Sequence, residues 1–125
     1  MVHSIQILRV LSWMASVAFL GMGLLWWGLP AFVSAQLGMS LQAGAGLSTQ
    51  IGDFSSFFLT LGTCIALGLI TGKAHWLYPP VFLLGFAAIG RLMAWLFYGA
   101  DFVPDFIAVE VATALLLWAT ARKLA

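Results

Sequence analysis

Charged side chains are scarce in this sequence: five Lys or Arg and four Asp or Glu among 125 residues, 7% of the chain, where a soluble domain carries roughly 25%. That scarcity excludes a surface solvated on all sides. The formal net charge of +1 and the scatter of the basic residues exclude a nucleic-acid-binding face. Cysteine is nearly absent too, because Cys64 stands alone in an apolar run, which excludes an intramolecular disulfide and any thiol-based metal cluster. The histidines are His3 and His75, with no carboxylate adjoining either, so no metal site or cofactor is expected and His75 is read as a solvated interfacial residue.

What the chain has in abundance is apolar surface, 63% of its residues. A helix needs about 20 apolar residues to cross a bilayer, so this length accommodates four spans with short connections and no separate soluble domain. The expected fold is all-α: a single bundle of four transmembrane helices at about residues 7–29, 51–72, 79–98 and 104–120, with a short interfacial helix between the first two. The first span exceeds the roughly 7–15 apolar residues of a signal peptide, which outweighs the small-residue stretch Phe32-Val33-Ser34-Ala35 after it. Ser12, Ser16 and Gly21 provide this span with a face for close helix packing.

Residues 30–50 carry no charge and are too interrupted to span. Pro30 suits a first helical position and Gly38 the residue just past a helix end, with residues 42–48 as a flexible linker, either a spacer or a lid. In the second span, Asp53, Ser56, Thr60 and Thr63 recur at spacings of three and four and share one face. They are either helix glue or the lining of a polar crevice. Gly68 and Gly72 add a small-xxx-small pair.

The strongest feature lies in residues 90–110, where Arg91 and Glu110 interrupt apolar segments. With the turn at residues 99–103, Arg91 lies about 12 Å before it and Glu110 about 9 Å after it, at roughly 1.5 Å per residue. An unpaired charge in hydrocarbon costs at least ~2.5–3.5 kcal/mol, so opposite charges at one depth on neighbouring helices should face each other. Trp95, one turn from Arg91, is read chiefly as a packing residue and secondarily as a stacking partner for a guanidinium or ligand. Trp26, Trp27, Trp76 and Trp118 fall where interfacial aromatic belts are expected.

Arg9, Lys73, Arg122 and Lys123 all fall on one side of such a bundle, while Asp53, Asp101 and Asp105 gather near the other. By the positive-inside rule both termini are cytoplasmic. Asp53, Ser56, Thr60, Arg91, Trp95 and Glu110 are then the candidate members of one outward polar crevice.

Gly90-Arg91, the turn Tyr98-Gly99-Ala100-Asp101, Pro104, Glu110 and the glycine-rich stretch from Gly62 to Gly72 together resemble a family of four-span bacterial membrane proteins, domain of unknown function 4345, distantly similar to DoxX-like proteins. The resemblance implies a four-helix bundle in the bacterial inner membrane and no established activity. The acidic opening of the second span, Gly52-Asp53-Phe54-Ser55-Ser56, inherits no role from it.

With no catalytic motif, tiny loops and many small residues, the chain reads as an accessory or assembly subunit of a larger membrane complex, or as a self-associating protein. The alternative is a binder of a lipid-like ligand, with Arg91 meeting an anionic headgroup. A membrane-embedded enzyme using Glu110 or Asp53 ranks lower, because a carboxylate committed to an arginine is a poor proton donor. A proton-coupled transporter ranks as low, since inverted repeats and broken helices are missing.

Overall fold

The computed structural model describes residues 2–125, the side chain of Val2 excepted. The described residues form helices joined by short connections: α1 Val2–Gly28, α2 Pro30–Gln36, α3 Gly44–Thr71, a 3-10 turn at Ala74–Leu77, α4 Tyr78–Tyr98 and α5 Pro104–Leu124. Four segments, His3–Gly28, Gly44–Thr71, Ala74–Tyr98 and Pro104–Leu124, are long and apolar enough to cross a membrane. The protein is a four-helix membrane bundle with a short extra helix after the first span.

Pro30 occupies the start of α2 and separates it from α1 by the single residue Leu29. Its ring has no N–H to continue the ladder and bends the chain there. Gly38 closes α2 with φ +74, donating to the Ala35 carbonyl while Met39 donates to that of Ser34 at 2.9 Å. Those two bonds, one nested in the other, satisfy the carbonyls that the helix end leaves open. Val33 and Ser34 turn inward, whereas Phe32 faces out.

The flexible linker expected at residues 42–48 is replaced by helix from Gly44 onward and by a fastened strap before it. Buried Gln50 is the reason: its Oε1 accepts from the Gln42 N–H at 2.9 Å, and its Nε2 donates to the Ser40 carbonyl at 3.1 Å. One amide on the second turn of α3 thereby supplies partners for the backbone that precedes it, and extending a helix adds about one bond per residue fixed.

α1 packs most closely against α3, and α4 against α5; α1 also meets α5, and the α3–α4 seam is sparser. The α1–α3 contact is reciprocal. A methyl on Gly62 would lie 2.5 Å from Leu20 Cγ, and one on Gly23 would lie 2.6 Å from Leu59 Cγ, so each glycine receives a leucine of the facing helix. Ser16 Oγ donates to the Gly62 carbonyl at 2.7 Å, and Ser12 shares a 3.0 Å hydrogen bond with Thr120 of α5. The serines act as expected, but the glycine at this interface is Gly23; Gly21 faces open space. The expected Gly68/Gly72 pair divides likewise: Gly68 packs against Leu77, and Gly72 is the left-handed cap of α3 at φ +70.

The core consists of Leu61, Ile65, Leu69, Leu77, Leu84, Leu117 and Ala121. This main cluster lies toward the end that carries Lys73, Arg122 and Lys123, while Trp26 and Val33 are buried at the opposite end of α1 and in α2. In α4 the buried residues are Pro80, Leu84 and Ala88, and in α5 they are Leu117, Thr120 and Ala121. The halves of α4 and α5 nearest their connecting turn are therefore less buried, and the candidate charges sit there.

Candidate functional site

Arg91 and Glu110 meet across the α4–α5 hairpin. Arg91 Nε donates to Glu110 Oε1 at 2.9 Å and to Oε2 at 3.0 Å, and the arginine Cζ stands 4.8 Å from the centroid of the Phe106 ring. Local sequence places these groups. Phe106 lies one turn from Glu110 on the same face of α5, so the ring lies under the guanidinium that the carboxylate draws across. Gly99, at φ +74, ends α4 and permits the tight return to Pro104 that brings the two residues level. Glu110 is the more buried partner, with side-chain exposure of 12% against 35% for Arg91.

Trp95 does not reach the guanidinium. It pairs with Phe102 instead, ring centroids 4.6 Å apart, and remains 42% exposed. The stacking residue is Phe106, which the sequence reading passed over although its spacing of four from Glu110 was a usable signal.

Asp53, Ser56 and Thr60 line one open groove of about 320 Å³ together with Phe57 and, from α4, Leu83. Ser56 and Thr60 also border a second groove of about 250 Å³ that continues along Leu59, Thr63, Cys64 and Leu67 to Trp76. Asp53, Ser56, Thr60 and Thr63 are all exposed. Ser56 Oγ donates to the Asp53 carbonyl at 3.0 Å within its own helix, and among the described residues no hydrogen bond joins any of the four to another helix. The stripe is thus not glue within this bundle; that work falls to Ser12, Ser16, Thr120 and Arg9, whose Nη2 donates to the Leu69 carbonyl at 2.9 Å in the last turn of α3.

The residues expected to share one crevice fall at two separate places. Arg91 and Glu110 do not line the α3 groove, and no ion pair links Asp53 to Arg91 among the described residues. The reason is the uneven core: with apolar packing concentrated at the basic end, little draws α3 toward the α4–α5 pair at the other. Trp26 also departs from the belt reading, being fully buried and stacked on Phe54 at 5.1 Å, while Trp27 is exposed and Trp118 carries the Arg122 guanidinium 5.4 Å above its ring. Among the described residues no three His, Cys, Asp or Glu side chains converge on a point.

No protein-family model, curated protein or solved structure matches the chain.

Proposed function

We propose that the protein is an accessory or assembly subunit of a larger membrane complex, docking through the polar stripe of α3. The observation that supports this reading is that Asp53, Ser56, Thr60 and Thr63 face outward with no hydrogen-bond partner on another helix among the described residues. A hydroxyl turned toward acyl chains gains nothing there, whereas across a helix–helix contact each interhelical hydrogen bond contributes about 0.6–2 kcal/mol. The small-residue faces at Ser12, Ser16, Gly62 and Gly68 are consumed inside the bundle. What remains for a partner is therefore polar and open, a groove rather than a pocket.

Charge complementarity narrows the partner. Asp53, Asp101 and Asp105 share the acidic end, and the one basic residue in that half, Arg91, is committed to Glu110. The fitting occupant is a transmembrane helix of another protein that presents hydroxyl or amide groups to Ser56 and Thr60 and a basic residue near Asp53. Membership of the four-span bacterial family, an inner-membrane location and cytoplasmic termini belong to the same proposal.

The test is a photo-crosslinking amino acid placed at position 56 or 60 in native membranes, with position 86, where Phe86 faces outward on α4, as the lipid-facing control. A discrete adduct with one membrane protein is expected from 56 and 60 and not from 86, and Asp53→Lys should abolish it. Identical patterns from all three positions would overturn the docking face, and an adduct only with a second copy of this chain would replace the subunit reading by self-association.

A further inference from the structure

The α3 groove leaves out the Arg91–Glu110 pair, whose hydrogen-bonding capacity the bundle uses only in part. Arg91 engages Glu110 through Nε alone. A guanidinium carries five N–H donors, so its two terminal amino groups retain four. None of these has a hydrogen-bond partner among the described residues. The geometry separates the two edges of the side chain: the Nε edge turns to a carboxylate that is 12% exposed, while the side chain bearing the free edge is 35% exposed.

The surroundings restrict what can reach that edge. Trp95 lies one turn from Arg91 toward the end of α4, and Phe106 one turn from Glu110 toward the start of α5, with Phe102 packed on Trp95. Aromatic rings thus stand between the pair and the turn. The residues that follow Arg91, Leu92 and Met93, are exposed apolar side chains on a membrane-spanning helix, so the site borders lipid. Charged donors at this depth require acceptors, because the bilayer interior provides no bulk water to satisfy them.

We propose that the terminal amino edge of Arg91 binds the oxyanion headgroup of an amphiphile in the leaflet that holds the α4–α5 turn, either a phospholipid phosphate or a fatty-acid carboxylate. A planar fork of N–H donors matches two oxygens of one phosphate or carboxylate, and such charge-assisted pairs are the strong class of hydrogen bond. Glu110 cannot fill this role, since it is already spent on Nε and fixes the rotamer from behind. The aromatic shelf adds rigidity: Phe106 supports the guanidinium face and limits its motion, so little freedom is lost on binding. This site is separate from the α3 docking stripe and shares none of its residues.

The test uses the full chain purified in a maltoside detergent, which carries no oxyanion. It is titrated with dioleoyl phosphatidylglycerol, with oleic acid and with uncharged dioleoylglycerol, and retention is read by native mass spectrometry. The wild-type chain should hold one of the two anionic amphiphiles at least about tenfold more tightly than dioleoylglycerol, as expected for one charge-assisted contact. Preference for phosphatidylglycerol assigns the phosphate, and preference for oleate the carboxylate. Arg91→Gln/Glu110→Gln removes both charges while keeping two hydrogen-bonding side chains, and it should erase the preference with helical content and melting unchanged. Arg91→Lys provides a second variant that keeps the ion pair but lacks the fork, and it should weaken the preference. Equal retention of all three amphiphiles by the wild type, or a preference that survives in both variants, would overturn the site.

Discussion

At the scale of single residues, the energetics turn on how Arg91 and Glu110 share a partly buried site. Removing one member of a dry buried pair costs about 3–5 kcal/mol, because the survivor is left uncompensated, whereas replacing both by apolar groups is often neutral. The exposure of Arg91 puts this pair below that range, but the sign of the comparison survives. Arg91→Leu and Glu110→Leu should each lower folded yield and melting temperature, and the double substitution should recover much of the loss. Fluorescence-detected size exclusion and thermal melts in detergent decide it: if the single losses simply add in the double, the two side chains are energetically independent. The same reasoning explains why Trp95, although one turn from Arg91 on the same helix, has no part in the pair. An aromatic ring on offer from α5 itself, Phe106, reaches the guanidinium first, and Trp95 finds Phe102.

At the scale of elements, the α1–α3 contact is the one whose geometry leaves least tolerance. Gly23 and Gly62 each face a leucine at a distance that a methyl cannot share, and Gly62 also lies against the Ser16 carbonyl, at 2.8 Å from the added carbon. Overpacking of this kind typically costs about 1–3 kcal/mol. Gly21 and Gly52 sit on the same two helices with nothing within 4 Å. There an alanine only improves helix propensity, by up to about 1 kcal/mol. Gly62→Ala and Gly23→Ala should therefore lower the melting temperature, while Gly21→Ala and Gly52→Ala leave it equal or higher. Equal behaviour of the four would mean that α1 and α3 do not approach as described. Gly68→Leu belongs with the damaging pair: Leu77 and Trp76 already occupy its space, so its effect is on folding of this chain and not on a partner surface.

At the scale of the whole molecule, the bundle is electrically and mechanically polar. The basic end holds Arg9 bonded to the Leu69 carbonyl, Lys73 and the Arg122–Trp118 contact, together with the apolar core. The acidic end holds Asp101, Asp105 and the less buried halves of α4 and α5. Basic residues are retained in the cytoplasm during insertion, so the termini and His75 should face inward and Gln42 and Asp101 outward. In a Cys64→Ser background, an impermeant thiol reagent on intact cells should label a cysteine introduced at position 42 and spare one at 75. The opposite pattern would invert the molecule and move the Arg91 site to the inner leaflet.

Composition and spacing alone determined the class, the number of spans, the short helix after the first span with Pro30 and Gly38 at its ends, and the level at which Arg91 and Glu110 meet. Each follows from a local rule: apolar length sets a span, proline and glycine punctuate it, and a constant rise per residue fixes depth along a helix. Only the tertiary structure decided which faces meet. A stripe such as Asp53, Ser56 and Thr60 reads the same whether it turns inward or outward, because periodicity defines a face but not its neighbour. Gly21 and Gly23 are equally small, and only the rotation of α1 against α3 selects the one that receives Leu59. Likewise Trp26 and Trp27 are adjacent and identical in type, yet one is buried on Phe54 and the other exposed, since neighbouring residues on a helix point about 100° apart. The separation of Asp53, Ser56 and Thr60 from Arg91 and Glu110 has the same origin: level along each helix was readable from the sequence, whereas lateral separation depends on where the core draws the helices together.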